Sequence, residues 1–467
     1  MQHPVVRIKR LSLNNIKSVT FGNIEFKAVN ALHKERADIL GIYGQNGSGK
    51  TVVIEVLAIL KSILSGQQIQ SRYLESITIG EKSGRLELEL SITDTENTDC
   101  TVIYNCKLEQ RENPNESSLN NGAEMKNRTK LFLAVTDESL KISGFFNGKK
   151  YPKQYIAQTD ETQKLIQPEQ KRKLLFGNDE KILKKLEHQK ILALYGSRSF
   201  IFSNQSVEAI WNNCRSDYKF IINSIRFFAI TRLFIVGGEI QNETPLPFNF
   251  VVESEESGIC GQIPFSMESK AILSEEMMSV FKSFVNPLNI VLSSIIPGLE
   301  IVYRSQKASL DEKNSFYEIE LFAVRDQIYK FPMRHESLGV KKLISFLSLL
   351  IAAYNDKSVI LAVDEFDSSI FEFLLGELMS IFKNSGKGQL VFTSHNLRPL
   401  EKLDATSICF TTTDPQNRYI KLKKKTTNNL RDMYFRMISL GNKDFELYSS
   451  ESKNAIAFAF RQAGWEE

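Results

Sequence analysis

The stretch Gly44-Gln45-Asn46-Gly47-Ser48-Gly49-Lys50-Thr51 fits G-x-x-x-x-G-K-[ST] at every fixed position. Its flanks suit the pattern. Ile39-Leu40-Gly41-Ile42-Tyr43 reads as a buried strand, and Thr51 to Leu64 as a helix stopped at Ser65-Gly66. Such a strand–loop–helix cradles phosphate. Glycines let successive backbone N–H groups converge on an anion, and the helix N-terminus adds the positive end of its dipole. Gly44, Asn46, Gly47, Ser48 and Gly49 are expected to form the phosphate loop, with Lys50 reaching the β/γ-phosphates and the Thr51 hydroxyl reaching Mg²⁺. A nucleoside triphosphate site follows.

At 467 residues the chain has room for two or three compact units. With 42% hydrophobic and 24% charged residues it falls in the soluble globular class. A formal charge of +4 is too small to imply nucleic acid, so any such partner must rest on local patches. Cys100, Cys106, Cys214, Cys260 and Cys409 form no C-x-x-C and have no nearby histidine, which reads as reduced thiols in a reducing compartment. The start Met1-Gln2-His3-Pro4 lacks a charged-then-apolar signal. The apolar stretches Ile344–Ala353 and Phe227–Val236 are too short to span a bilayer, and Arg232 interrupts the second. The expectation is a cytoplasmic protein with no membrane segment.

Along the chain, Val6–Leu13 and Val19–Phe26 alternate as two strands broken by Asn14-Asn15. Glu25-Phe26-Lys27 matches a fragment of some nuclease sites, but no acidic residue precedes it to share a metal, so it reads as strand surface. From Arg85 the period is two, with Leu86, Leu88, Leu90 and Ile92 facing one way; Thr101–Leu108 and Leu131–Thr136 repeat the style. Glu109–Arg128 reads as a surface loop. Asp160 to Ile296 is mostly helical in pattern: a lysine-rich run Lys164–Leu194, then amphipathic runs Ser206–Val236 and Ser266–Ile296 separated by Gly237–Pro264. Leu299–Arg304 and Phe316–Ala323 return to strands, Val340–Tyr354 is an apolar helix, and Val359–Val363 an apolar strand ending in Asp364-Glu365. Helix Ile370–Lys383, strands Gln389–Thr393, Ser407–Thr411 and Tyr419–Lys423, and helices near Leu430–Leu440 and Lys453–Gln462 complete the chain. Apolar strands alternating with helices predict a parallel α/β sheet with its sites at the strand C-termini. The expected division is residues 1–150 for the phosphate loop and an antiparallel β subdomain, 151–297 for a helical insertion, and 298–467 for the rest of the nucleotide head.

Asp364 and Glu365 are delivered by a buried strand to the mouth of the phosphate loop. There an Asp can hold Mg²⁺ through water, and the neighbouring Glu can orient or deprotonate the attacking water. His395 ends the next strand, placed to hydrogen-bond a γ-phosphate. Ser337-Leu338-Gly339 opens a helix, which makes either a second anion site, used by a second subunit, or simply an N-cap serine.

Gly44–Thr51, Ser337-Leu338-Gly339, Asp364-Glu365-Phe366-Asp367-Ser368-Ser369 and His395 resemble the Walker A, signature, Walker B, D-loop and switch-histidine motifs of ABC-type ATPases. Within these the chain is similar to the RecF/SMC-like AAA15/AAA21 group of OLD-like and bacterial antiviral defence ATPases, over Val5–Leu64 and Phe331–Lys423. The resemblance implies an ABC-type P-loop head with an antiparallel β subdomain and a helical insertion. It also implies that ATP and Mg²⁺ are bound between two heads, each site sealed by the partner's Ser337 and Gly339. In that reading Asp364 and Thr51 serve the metal, Glu365 is the catalytic base, His395 senses the γ-phosphate and Lys50 assists. The partners implied are a homodimer, or a higher even-numbered oligomer, and a separate effector protein. Three departures stand out. Ile370-Phe371 replaces the usual Leu-Asp or Leu-His, the signature reads S-L-G, and Gln154, Gln158 and Gln205 are equal candidates for a Q-loop glutamine. The middle is too short, and too poor in heptads, for an SMC coiled coil, and the residues after His395 lack the acids of a Toprim nuclease. The functions implied are the regulatory ATPase of an antiviral defence system or, alternatively, a RecF-like ATPase acting on DNA through basic residues at Lys164–Lys190 and Lys421–Lys425. A transporter subunit fits less well, given the insertion and the short signature.

Overall fold

The computed structural model describes residues 4–26, 36–94, 97–112, 131–162, 164–237, 247–254, 259–308, 315–368, 370–421, 429–440, 447 and 453–463. Period-two alternation in the first third yields long strands that each bury one face. β1 (Val5–Ile16) and β2 (Val19–Glu25) are followed by β3 (Asp38–Tyr43) and helix α1 (Lys50–Ser65). Next come β4 (Ser83–Thr93), β5 (Asp99–Glu112), β6 (Leu131–Phe146) and β7 (Lys149–Gln158). All but β3 form an antiparallel sheet in the order β2-β1-β4-β5-β6-β7. Leu86, Leu88, Leu90 and Ile92 lie opposite Cys106, Tyr104, Val102 and Cys100, so both strands drop their apolar residues onto one face.

These strands outrun their sequence expectations. β1 passes through Asn14-Asn15 and turns at Lys17-Ser18, with Asn15 and Lys17 at φ 53° and 49°. β6 continues well past Thr136, and β5 takes in the first residues of the expected loop, whose remainder, 113–128, lies outside the described residues.

The middle of the chain corrects the mostly helical reading. Helices α2 (Glu169–Phe176), α3 (Glu180–Tyr195), α4 (Asn204–Asn213) and α5 (Tyr218–Thr231) are present. The run to Val236 is not one helix, however: β8 (Leu233–Val236) follows α5 at once. A hairpin of β9 (Pro247–Ser254) and β10 (Ile259–Ser266) comes next, and β11 (Ala271–Ser274) precedes α6 (Glu275–Ile295). A four-residue apolar run has no period of its own, so its strand pairing decides its state.

The last third contains β12 (Leu299–Ala308), β13 (Phe316–Arg325), β14 (Tyr329–Pro332), α7 (Leu338–Asn355), β15 (Ile360–Val363) and α8 (Glu372–Ser385). It closes with β16 (Gln389–Thr393), α9 (Arg398–Lys402), β17 (Ile408–Thr411), β18 (Tyr419–Ile420), α10 (Leu430–Leu440) and α11 (Lys453–Ala463). β18 is shorter than expected. Residues 422–428, which include the lysines from Lys423 to Lys425, lie outside the described residues.

The central sheet has the order β18-β17-β3-β16-β15-β8, and every neighbouring pair except β17–β18 is parallel. Both faces are covered, as a parallel sheet requires. Leu40, Ile42, Ile360, Ala362 and Val391 enter the core shared with α1, α5 and the antiparallel sheet. Their chain neighbours Ile39, Tyr43, Leu361, Val363, Leu390 and Phe392 enter a second core with α7, α8 and α10. A third core joins α6 to the β11-β13-β12 sheet and the far side of α7 through Ile344 and Leu347. By length and composition α7 reaches that of a membrane span, longer than the apolar stretch suggested, but it lies between these two cores, where most of it is buried.

Candidate functional site

Parallel pairing brings the C-terminal ends of β3, β16, β15 and β8 to one edge, so the residues just after them converge. After β3 the chain makes the phosphate loop. Gly44, Gly47 and Gly49 have φ 156°, 76° and 93°. At Gly44 a side chain is also excluded by contact, since a Cβ would lie 1.8 Å from Thr411 Oγ1. Ser48 Oγ bonds Gln45 O at 2.6 Å and makes a short contact with Thr411 Oγ1, while Tyr419 Oη donates to Gly49 O at 2.8 Å. The loop is thus held from behind by β17 and β18. Lys50 Nζ donates to Gly44 O and Gln45 O, each at 2.9 Å. Burial lowers the Lys50 pKa, and Asp364, Asp367 and Glu365 oppose that shift.

Asp364 follows β15 directly and is buried. Its Oδ1 accepts from Thr51 Oγ1 at 3.3 Å and from Thr393 Oγ1. A hydroxyl and a carboxylate side by side, with no third His, Cys, Asp or Glu gathered around them among the described residues, suit a cation that takes one carboxylate and completes its shell with substrate phosphate and water. Thr51 and Asp364 would hold Mg²⁺. Glu365 is exposed and has φ 48°; its N–H donates to Thr393 Oγ1 at 2.8 Å. Asp367 Oδ2 accepts from the N–H groups of His395, at 3.1 Å, and Asn396, at 2.9 Å, which fixes the loop carrying the histidine.

One cavity of about 510 Å³ gathers Asn46, Gly47, Gly49, Lys50 and Thr51 with Asp364, Glu365 and His395. Gly44 and Ser48 belong to the loop but do not line it. Ser337 and Gly339 do not line it either. Ser337 caps α7, accepting from Val340 N–H at 3.3 Å, and Leu338 beside it is 66% exposed. None of Gln154, Gln158 and Gln205 reaches the cavity. One strand beside that of Asp364 is β8, which ends at Val236, just before Gly237.

Lys17, Ser18, Glu55 and Thr393 also line the cavity and went unnoticed in the sequence. Lys17 and Ser18 come from the β1–β2 turn, and Lys17 pairs with Glu55 at 2.6 Å. A turn that arrives from another sheet leaves no local mark. Thr393 had one: a hydroxyl at the end of a buried strand, just before Ser394-His395.

Residues 265–401, which hold Ser337, Gly339, Asp364, Glu365 and His395, match the family described as "AAA domain, putative AbiEii toxin, Type IV TA system". This stretch, less than a third of the chain, is similar to that AAA domain. Among solved structures the chain is similar to an SMC head bound to the C-winged helix domain of ScpA, with 13% identity over 89% of this chain and 98% of that one, and a TM-score of 0.43. The SMC head domain from Thermotoga maritima is similar at 13% identity, over 90% and 100% of the two chains, with a TM-score of 0.37. The recombination mediator RecF, solved with a nucleotide in the RecFOR pathway, is similar at 12% identity, over 90% and 100%, with a TM-score of 0.37. No curated protein matches the chain in sequence.

Proposed function

We propose that this chain binds and hydrolyses ATP with Mg²⁺, and that it is the nucleotide-driven sensor and regulator of a prokaryotic antiviral defence system, controlling a separate effector. The observation that carries the ATPase reading is the single cavity holding phosphate loop, Thr51–Asp364 pair, Glu365 and His395. Backbone N–H groups and Lys50 would bind the phosphates, and Thr51 and Asp364 would hold the cation, which would supply positive charge to the transferring phosphoryl group. Glu365, exposed beside Asp364, takes the proton of the attacking water, and His395 closes on the γ-phosphate. The defence reading draws support from the matched family, whose description names a putative toxin of a type IV TA system. In this reading the heads pair, each presenting its Ser337-Leu338-Gly339 end to the partner's cavity.

The purified chain should hydrolyse ATP with Mg²⁺ and cut neither DNA nor RNA. Glu365→Gln should still bind ATP while losing on the order of 10²–10⁴ in rate, the usual contribution of a positioned base. Glu365→Gln turning over ATP at the parental rate would refute the catalytic assignment. Co-purification with the products of neighbouring genes, in the parent and in Glu365→Gln, tests for the effector. A nuclease activity of the isolated chain, abolished by a mutation away from the phosphate site, would refute the regulatory role.

A further inference from the structure

Lys342 lies on α7, five positions after Ser337, about 7.5 Å along the helix axis. It is 3% exposed, yet its ammonium faces the catalytic edge of the sheet, where it donates to Glu365 O at 3.4 Å and feels the charges of Glu365, Asp367 and Asp364. A buried lysine needs such partners. The acceptor itself is unusual. Glu365 has a left-handed backbone, φ 48°, which non-glycine residues keep only where the surroundings hold it. Here the residue is pinned at both ends, its N–H on Thr393 Oγ1 and its C=O on Lys342. Its side chain is exposed in the cavity, so the direction of the carboxylate is set by the backbone rather than by side-chain packing. Asp364 differs: it is buried, and its own carboxylate is held by Thr51 and Thr393.

We propose that Lys342 is a positioning residue, which holds the left-handed turn at Glu365 and ties the alignment of that base to the N-terminal end of α7. The inference rests on the ATPase reading above. Because Ser337 caps the same helix, any contact that shifts the start of α7 moves Lys342 and, through one hydrogen bond, the carbonyl of Glu365. Lys342 donates to Glu365 O and not to the phosphate loop, and the Asp364 carboxylate has its own partners in Thr51 and Thr393, so the link bears on turnover before nucleotide binding.

The test compares the full chain with Lys342→Met, Lys342→Arg and the double variant Lys342→Met/Glu365→Gln, measuring kcat, KM and ATP binding with Mg²⁺. Met fills the space of the lysine stem and removes the donor; Arg restores a donor. Lys342→Met should lose about 10- to 10²-fold in kcat, the scale of a displacement near 1 Å, with KM and ATP affinity unchanged. Lys342→Arg should recover most of the loss. The double variant should be no slower than Glu365→Gln alone, because a base that is absent cannot be misaligned. A folded, ATP-binding Lys342→Met chain with parental kcat overturns the proposal, as does Lys342→Arg being as impaired as Lys342→Met, or a double variant that loses both factors. Should Lys342→Met fail to fold, Lys342→Gln, with a shorter donor, must show the same kcat-only loss. A parent that does not hydrolyse ATP refutes the ATPase reading itself, whereas parental turnover with a normal Lys342→Met refutes this link alone.

Discussion

Two lysines on one helix show how surroundings divide a residue type by role. Lys50, at the first turn of α1, is buried but faces Asp364, Asp367 and Glu365, which support its charge. Lys61, further along α1, has its Nζ 5.7 Å from the centre of the Phe234 ring, and burial lowers its pKa to about 8. The sign follows from proton counting. Below pH 8 both folded and unfolded chains carry the proton, and folding bears the full penalty of a buried charge. Between about 8 and the model-peptide value near 10.4 the unfolded chain binds more protons, so stability rises with pH. Lys61→Met should therefore be the more stable chain at pH 7, by up to about 3 kcal/mol, and the difference should shrink above pH 8. Chemical denaturation of both chains across pH 7–10 measures this. The difference between chains matters because Cys100 and Cys409, each pushed by burial up to about 12, pull the other way in both. Equal stabilities with parallel pH profiles would show that the ammonium is not desolvated.

At the scale of elements, the informative case is β8. It pairs in parallel with β15, setting Val236 beside Val363, and Asp364 N–H donates to Val236 O at 2.8 Å. The next residue, Gly237, has φ 118°, and a Cβ there would lie 2.4 Å from Asp364 Cβ. Gly237→Ala must therefore force Asp364 and the Gly237 backbone apart. We expect Mg²⁺-dependent ATP binding to weaken strongly, with a stability loss of about 1–3 kcal/mol from the strained backbone. Nucleotide titration with and without Mg²⁺ reads this out, and unchanged Mg²⁺-dependent binding by Gly237→Ala would show that Asp364 does not serve the metal. The same strand explains what the sequence hid. The phosphate loop, the strand before Asp364 and the strand before His395 were legible because each is a local pattern: glycines at fixed spacing, or an apolar run ending in a functional residue. Leu233–Val236 continues the apolar character of α5 across the single Arg232, and only pairing with β15, more than a hundred residues later, makes it a strand. Lys17 and Tyr419 stayed hidden for the same reason, since they reach the site from a distant turn and a distant strand. Ser337 was legible as a cap, and the structure finds it capping α7.

For the whole molecule, the question is what closes the cavity. On one chain the P-loop side is complete, while Ser337 and Gly339 lie outside the cavity at an exposed helix start. Exposed apolar side chains stand on the segments around these motifs: Leu338 at the start of α7, and Phe371 and Phe373, 75% and 57% exposed, at the start of α8. Large apolar groups left in water favour cover by another surface. In the proposed pairing of heads, a second copy presenting its own α7 end would cover such side chains and offer the anion site of a helix N-terminus. The arrangement predicts complementation between two inactive chains. Ser337→Arg leaves the phosphate loop whole but obstructs the surface offered to the partner. Lys50→Ala leaves that surface whole but loses the lysine that serves its own phosphates. Each variant alone puts a lesion into every shared site, so both should hydrolyse ATP at background rates. A mixed dimer has one site with both lesions and one with neither, and its activity should recover towards half that of the parent dimer, since one of its two sites is whole. The measurement is ATP turnover against mixing ratio, with heterodimers verified by differential tagging. Activity in Ser337→Arg alone would show that the site works without its neighbour. Verified heterodimers that recover nothing would exclude shared sites that fire independently.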